Sequence, residues 1–166
     1  MQDVTVGKKI HISDIEKAYI AGFLDGDGTV MATIERHGEK KFGFRVRIAM
    51  DFSQHRDNVA VLHYIRKIIG SGSLSLAGSK GVFKLTIKDR SVLIPLLGVL
   101  EPFVRVKKVQ IQIARKILAK KIKTFEDLKR VAHLSDELSG HNLKSRSRRI
   151  NTSHMIESSP VTTEVA

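Results

Sequence analysis

The sequence predicts an α+β domain in which helices cover one face of an antiparallel sheet. The predicted elements follow the order helix, two strands, helix, two strands, helix (αββαββα), and further helices come after them. Within each pair, the strands are separated by a short polar or glycine-rich turn, which is typical of hairpins. Apolar and polar residues alternate along the strands, which indicates one packed face and one solvated face.

The composition indicates a basic protein with enough apolar residues for a core. The chain has 166 residues, of which 42% are hydrophobic, and its formal net charge is +12. Such a charge favours a polyanionic partner, most simply nucleic acid, although basicity can also serve solubility alone. Cysteine is absent, which excludes disulfides, thiolate zinc sites and cysteine nucleophiles.

The chain carries no sign of a membrane or export segment. No apolar run reaches the roughly 18–20 residues that cross a bilayer, and no signal-peptide core opens the chain. We therefore expect an intracellular protein, in the cytoplasm of a prokaryote or in an organelle, with no membrane partner.

The first helix is predicted from Asp14 to Asp25. Ser13 and Glu16 have the spacing of a capping box, and the glycines at positions 26 and 28 end the helix in a turn. Ala18, Gly22 and Gly26 recur every four residues, so they form one small-residue face.

The first hairpin follows this turn. Strands are predicted over residues 29–36 and 42–52, joined by a polar turn at 37–41. Phe44, Val46, Ile48, Met50 and Phe52 share the face that we expect to pack, while Arg45, Arg47 and Asp51 share the solvated face.

The rest of the domain repeats this arrangement and then becomes helical. A helix is predicted over residues 58–69, strands over 73–77 and 82–87, and helices over 91–100 (bent or starting at Pro95), 106–121 and 125–138. We divide the chain into an irregular lead-in (1–12), a single domain (13–140) and a basic, then Ser/Thr-rich tail (141–166), with disorder expected over 151–166.

The small-residue face predicts a homodimer. Ile15, Tyr19 and Phe23 form a neighbouring apolar face suited to the core of the same chain, so the small-residue face is left for a second helix. Since the motif occurs only once, we expect that helix to come from a second copy around a two-fold axis, with Ala18, Gly22, Asp25 and Gly26 at the interface.

Such a dimer predicts a metal site at the ends of the paired helices. Two copies of Asp27 would meet where helix carbonyls carry partial negative charge, an arrangement that suits Mg²⁺ or, in its place, Mn²⁺ or Ca²⁺. Three alternatives compete: a plain Asp-Gly turn, a buried helix packed within the chain, and a calcium loop. The calcium loop is excluded because its twelfth position, counted from Asp25, is Arg36 instead of Glu.

Residues Ile20–Gly28 resemble the signature of the LAGLIDADG homing endonucleases along its whole length, and the element order resembles theirs from about Ser13 to Leu118. A single motif in a short chain is similar to the homodimeric branch of that family. The resemblance implies a saddle-shaped sheet in the DNA major groove and metal-dependent hydrolysis across the minor groove. It also implies a long pseudo-palindromic target, products with short 3′ overhangs and a gene within an intron.

The resemblance also implies roles for individual residues. Asp27 matches the metal-binding acid, Gly26 the residue whose carbonyl assists it, and Asp25 a helix-capping acid. Gln54 and Lys107 match members of the basic pocket that organises active-site water, so Asp27, Gln54 and Lys107 are the candidate catalytic residues. The third pocket member aligns with Asn58, where the family often has a basic residue; Arg56 is the nearby substitute.

The polar sheet face supplies the candidate DNA-reading residues. Arginine can contact guanine edges, and Thr, Ser and acidic side chains supply further donors and acceptors. A solvated face without a ligand is the alternative, as is solvated helix charge for Lys107 and the seven other basic residues of segment 105–123. The candidates are Thr33, Glu35, Arg45, Arg47, Asp51, Ser73, Ser75, Lys84 and Thr86.

These expectations favour a homodimeric, Mg²⁺-dependent, site-specific double-strand DNA endonuclease. Two other functions stay open on the sequence: an RNA-splicing maturase, with intron RNA as partner, and a DNA-binding regulator that does not cleave. The regulator is disfavoured because a protein that only binds DNA has no need for a paired-acid site.

Overall fold

A four-stranded antiparallel sheet forms the centre of the computed structural model, which describes residues 12–78, 80–142 and 152–158. The strand order is β1-β2-β4-β3, and the elements follow one another in the predicted αββαββα order. Their bounds are α1 (Asp14–Asp27), β1 (Gly28–Arg36), β2 (Phe44–His55), α2 (Ala60–Ile69), β3 (Ser73–Ala77), β4 (Val82–Ile87), α3 (Arg90–Leu100), α4 (Lys108–Ala119), α5 (Phe125–His141) and α6 (Thr152–Glu157).

The junction of α1 and β1 lacks the turn that the sequence predicts. The Ser13 hydroxyl accepts a hydrogen bond from the Glu16 amide, and the Glu16 carboxylate accepts one from the Ser13 amide, which confirms the capping box. The helix then continues two residues beyond Asp25, and Gly28 opens β1 with no turn between them. A Cβ atom on Gly28 would lie 2.7 Å from the Leu24 Cα and carbonyl oxygen, so only glycine fits at this direct passage from helix to strand.

The sheet register separates a packed face from a polar face. In β2, Met50 pairs with Val30 of β1 and Ile87 of β4, and Phe52 pairs with Gly28 and Leu85. Met50, Phe52, Val30, Leu85 and Ile87 are fully buried beneath the helices. Burying these side chains and the apolar stripes of the helices supplies the main driving force for folding.

The edge strand β1 is covered by the C-terminal helices. Both α4 and α5 pack against it, and the Asn142 side-chain amide donates a hydrogen bond to the Val30 carbonyl. Phe42, in the β1–β2 connection, packs edge to face against Phe125 at the start of α5. This cover protects an edge that could otherwise pair with another strand.

Several element boundaries differ from those predicted. The strand β2 runs to His55 instead of ending at Phe52, and the following helix begins as a 3₁₀ turn, Arg56–Asn58. Pro95 lies inside α3, which begins at Arg90. The predicted 106–121 helix is shorter at both ends, since α4 covers Lys108–Ala119, whereas α5 extends to His141.

A short helix occupies part of the tail in which disorder was expected. Residues 152–157 form α6, which packs against α5. Ile156 is fully buried, and the Ser153 amide and hydroxyl both donate to the Asp136 carboxylate. The expected disorder therefore does not extend to α6; residues 1–11, 143–151 and 159–166 lie outside the described part of the chain.

None of the helices in the described ranges has the length and apolar character of a membrane span.

Candidate functional site

The C-terminal end of α1 presents one exposed carboxylate and one that is engaged within the chain. Asp27 is the last helical residue and is exposed, as is Gly26 beside it. Asp25 instead accepts hydrogen bonds from the backbone amides of Arg105, Val106 and Lys107, at 2.7, 3.1 and 2.8 Å. A carboxylate that holds three amides of the segment leading into α4 is a structural anchor, as expected for a capping acid.

Lys107 and Gln54 reach the same end of α1 from two other elements. The bond from the Lys107 amide to Asp25 fixes the start of α4 beside this helix end. Gln54 is near the end of β2, two residues beyond the pairing of Phe52 with Gly28, so the register carries it past the start of β1 toward α1. The backbone thus brings all three candidate catalytic residues to one region, with Gln54 near the end of β2.

The two candidates for the third member of the basic pocket lie in the 3₁₀ turn after β2. Asn58 and Arg56 are both exposed there, and the Arg56 amide donates to the Gly81 carbonyl at 2.8 Å. Across the described residues, no group of three or more His, Asp and Glu side chains is arranged to hold a metal ion. One copy of the chain therefore contributes a single available acid, Asp27, at this helix end.

The small-residue face of α1 is open. Ala18, Gly22 and Gly26 are exposed, and a Cβ atom added to either glycine would meet nothing within 4 Å. Within the described ranges these residues therefore do not serve packing, which argues against the buried-helix alternative.

The neighbouring apolar face is only partly where the sequence placed it. Phe23 packs against the core near Phe52, but Ile15 is 83% exposed and Tyr19 is 45% exposed. The core face of α1 is formed instead by Ile20, Ala21 and Leu24, which are fully buried. The prediction for Ile15 and Tyr19 is wrong because the core lies about one residue further around the helix. Exposed apolar residues thus adjoin the open small-residue face.

All nine candidate DNA-reading residues lie on the polar face of the sheet. The register pairs Thr33 with Arg47 and Glu35 with Arg45 across β1 and β2, and Asp51 with Thr86 across β2 and β4. It also pairs Ser73 with Thr86 and Ser75 with Lys84 across β3 and β4. Because cross-strand partners point to the same side, the nine side chains share one surface that spans the whole sheet.

Two ion pairs organise charge on this face. The Arg47 Nε lies 3.0 Å from a Glu35 carboxylate oxygen, and the Lys84 Nζ lies 3.3 Å from Asp51 Oδ2. Arg45 is exposed at the outer end of β2. The face therefore carries both donors and acceptors, as a surface that reads base edges requires.

Part of the basic segment 105–123 is neutralised by acids of the same chain. Arg115 pairs with Glu101, and Lys120 lies 3.2 Å from Asp127. Hydrogen bonds from Gln112 and Arg115 lower the pKa of Glu101. The positive charge near the site is therefore smaller than the count of basic residues in this segment indicates.

Other residues of this region were not among the candidates predicted from the sequence. Ser53 and His55 extend the polar face along β2, and the alternation pattern continued past Phe52 would have found them. Tyr64 of α2 is 47% exposed and packs edge to face against Tyr19, with ring centroids 5.8 Å apart. No local pattern in the sequence indicates that contact, because it joins two helices.

The sequence is similar to those of known DNA endonucleases. The DNA endonuclease I-CreI of Chlamydomonas reinhardtii is 29% identical over 100 residues, which are 60% of this chain and 60% of that protein. The DNA endonuclease I-CvuI of Chlorella vulgaris is 27% identical over 103 residues, or 62% of this chain and 63% of that protein. The chain thus matches less than two thirds of the length of these relatives.

The same fold occurs in a solved structure of the homing endonuclease I-CvuI bound to a DNA target. It superposes with a TM-score of 0.77 at 24% identity, over 86% of this chain and 91% of that one. A family model described as LAGLIDADG endonuclease matches residues 20–132, which include the second half of α1, the whole sheet and α4. This chain therefore belongs to the LAGLIDADG endonuclease family.

Proposed function

We propose that this protein is a site-specific double-strand DNA endonuclease that acts as a homodimer with a divalent metal. The main support is the contrast between two acids at the C-terminal end of α1. Asp27 is exposed, whereas Asp25 is hydrogen-bonded to the amides of Arg105, Val106 and Lys107. Asp27 is therefore available to bind a metal ion. Asp25 fixes the segment that brings Lys107 to this end of α1.

The residues at this end fit a hard divalent cation. Asp27 supplies a carboxylate, and the Gly26 carbonyl lies one residue from the end of α1, where the helix has no amide four residues ahead to bond it. Oxygen ligands of this kind suit Mg²⁺, and also Ca²⁺ or Mn²⁺. When bound, such a cation lowers the pKa of a coordinated water and polarises a phosphodiester.

The side chains around Asp27 then have separate tasks. In this proposal the Lys107 ammonium stabilises negative charge that develops on the phosphate, and the Gln54 amide, whose oxygen accepts a hydrogen bond from the His55 amide, orients a water molecule. Arg56 is the cation nearest in sequence to the aligned third position, Asn58, and it would add charge stabilisation there.

The open face of α1 supports the homodimer. Ala18, Gly22 and Gly26 leave room for a second helix backbone, and exposed Ile15 and Tyr19 provide apolar area beside it. A two-fold axis through this face would bring the two copies of Asp27 together, one for each strand of the duplex. The paired acids complete a site that one copy leaves incomplete.

The polar sheet face supports binding of duplex DNA. The relatives that match are named as DNA endonucleases, and solved structures with the same fold hold target DNA in the presence of Mg or Ca. Two copies of one face, related by a two-fold axis, predict a pseudo-palindromic target. Cleavage across the minor groove would leave short 3′ overhangs.

A cleavage selection tests this function. The protein is incubated with a large pool of near-palindromic duplexes, with Mg²⁺ in one arm and EDTA in the other, and the cut ends are sequenced. We expect one family of cut sequences with 3′ overhangs in the Mg²⁺ arm only. Retained but uncut duplexes would indicate a DNA-binding regulator, and the absence of any duplex preference would redirect the search to structured intron RNA.

A further inference from the structure

The polar sheet face contains one acid that is buried, although the face as a whole is solvated. Asp51 is only 5% exposed, whereas Glu35, the other acid of the face, is exposed. Asp51 Oδ1 is buried and has no hydrogen-bond partner among the residues that the structure describes. An unsatisfied buried polar atom destabilises a fold, so Oδ1 of Asp51 does not stabilise the sheet.

Asp51 is also poorly placed for direct contact with a ligand. The base edges of a duplex lie outside the protein surface, and an oxygen without solvent access cannot accept a hydrogen bond from them. A carboxylate on a surface that binds DNA also repels phosphates. Neither stability nor direct contact therefore explains an acid at this position.

What Asp51 does contact is the ammonium of Lys84. Asp51 Oδ2 lies 3.3 Å from Lys84 Nζ, and the pair joins β2 diagonally to β4. The Lys84 side chain is 37% exposed and that of Asp51 is 7% exposed, so the acid lies beneath and the cation faces outward. Burial reduces screening of this attraction, and the contact restricts a lysine side chain that has several rotatable bonds.

We propose that Asp51 is a positioning residue that holds the Lys84 ammonium toward one guanine-containing base pair of the target. This inference rests on the proposed function, because it requires the polar face to lie in the major groove. There, a lysine can donate to the O6 and N7 atoms of guanine. Asp51 acts only through Lys84, and so it contributes to sequence preference without touching DNA.

A second pair on the same face offers a matched comparison. Glu35 and Arg47 join β1 to β2 with a closest distance of 3.0 Å, but both side chains are 40% exposed or more. The Glu35 side chain is 48% exposed against 7% for Asp51, so solvent screens the Glu35 carboxylate more strongly. Arg47 is four residues from Asp51 along β2, about 13 Å at the usual strand rise. One base pair rises 3.4 Å along the duplex. The two ion pairs would therefore face positions about four base pairs apart.

The test compares four variants with the wild type in a binding selection from random duplexes with Ca²⁺, followed by affinity measurements on single-base variants of the recovered site. The variants are Asp51→Asn, Lys84→Gln, the double variant and Glu35→Gln. We expect Asp51→Asn and Lys84→Gln to lose about 5- to 150-fold of discrimination at the same base pair, with little further loss in the double variant. Glu35→Gln should produce a smaller change, about four base pairs away.

Three other outcomes of the binding selection would contradict the proposal. If Asp51→Asn binds all duplexes more tightly and keeps its full preference, Asp51 is only a repelling charge and the proposal is wrong. If it changes a different base pair from Lys84→Gln, Asp51 reads a base itself, which also overturns the proposal. A wild-type protein that prefers no duplex would overturn the proposed function and this inference together.

Stability without DNA separates positioning from a structural role. Asp51→Asn removes a charge from a buried position and leaves the partly exposed Lys84 ammonium to solvent, so we expect its unfolding midpoint to be equal to or higher than that of the wild type. A lower midpoint would show that Asp51 stabilises the sheet and would contradict the proposal. Asp51→Ser serves as a second variant, because serine already occurs on this face at positions 53, 73 and 75, and the same loss at the same base pair is expected of it.

Discussion

Replacing Gly22 with alanine separates the stability of one copy from the association of two. In a single copy the new methyl group meets none of the described residues within 4 Å. Alanine in a helix interior is more favourable than glycine by about 1 kcal/mol. For a domain of this size, 1 kcal/mol corresponds to a rise of about 2–4 °C in the unfolding midpoint.

The same methyl group opposes dimerisation if α1 pairs with its copy. Overpacking a close contact costs about 1–3 kcal/mol, and a two-fold interface contains the substitution twice. Together the two copies lose about 2–6 kcal/mol, so the dimer dissociation constant should rise roughly 30- to 20,000-fold.

Sedimentation equilibrium measures the association, and urea unfolding at concentrations below the dissociation constant measures the single copy. Gly140→Ala is the matched control, because Gly140 lies in α5, also has an open Cβ position, and belongs to a helix that packs mainly against α4, α6 and β1. Pairing of α1 with its copy is refuted if Gly22→Ala raises the free energy of unfolding but leaves the dimer dissociation constant equal to that of Gly140→Ala.

Three further predictions concern the stability of the fold. Gly28→Ala should lower the free energy of unfolding by about 1–3 kcal/mol, measured by urea denaturation, because its Cβ would lie 2.7 Å from Leu24 backbone atoms; an unchanged midpoint would contradict the close approach. Asp25→Ala should cost about 2 kcal/mol or more by the same assay, and Asp25→Asn less, since the amide oxygen still accepts from the segment before α4; equal losses would rule out the anchoring role. Hydrogen bonds from the Lys123 and Thr124 amides hold the pKa of Asp127 below its ordinary value, so its stabilisation is present above about pH 4 and is lost as the pH falls. The stability difference between wild type and Asp127→Asn should therefore shrink on acidification, and a difference independent of pH would refute this.

Local patterns in the sequence predicted most of the fold. The alternation in residues 29–36 and 82–87 identifies β1 and β4 within one residue, and the Ser13–Glu16 capping box marks the start of α1. These features depend on neighbours a few residues apart, which a single sequence displays. The end of α1 at Asp27 was missed because glycine is a poor helix former, whereas here Gly28 is required for close contact with Leu24.

Contacts between distant parts of the chain could not be predicted in the same way. The bonds from the amides of Arg105–Lys107 to Asp25 join residues 80 or more positions apart, and periodicity carries no information about them. The exposure of Ile15 and Tyr19 depends on the angle at which α1 packs on the sheet. The burial of Asp51 likewise depends on three strands meeting, although the pattern placed it on the correct face.

Cleavage by an Asp27→Asn variant tests the central claim most directly. The duplex recovered from the selection is incubated with Mg²⁺ and either wild type, Asp27→Asn or Asp14→Asn, and binding is measured in parallel with Ca²⁺. Asp14→Asn makes the same change of charge at the other end of α1, where Asp14 pairs with Lys17. We predict that all three proteins bind the duplex and that only Asp27→Asn fails to cut it. Cleavage by Asp27→Asn at the wild-type rate would show that the acid at the end of α1 is not the catalytic metal ligand.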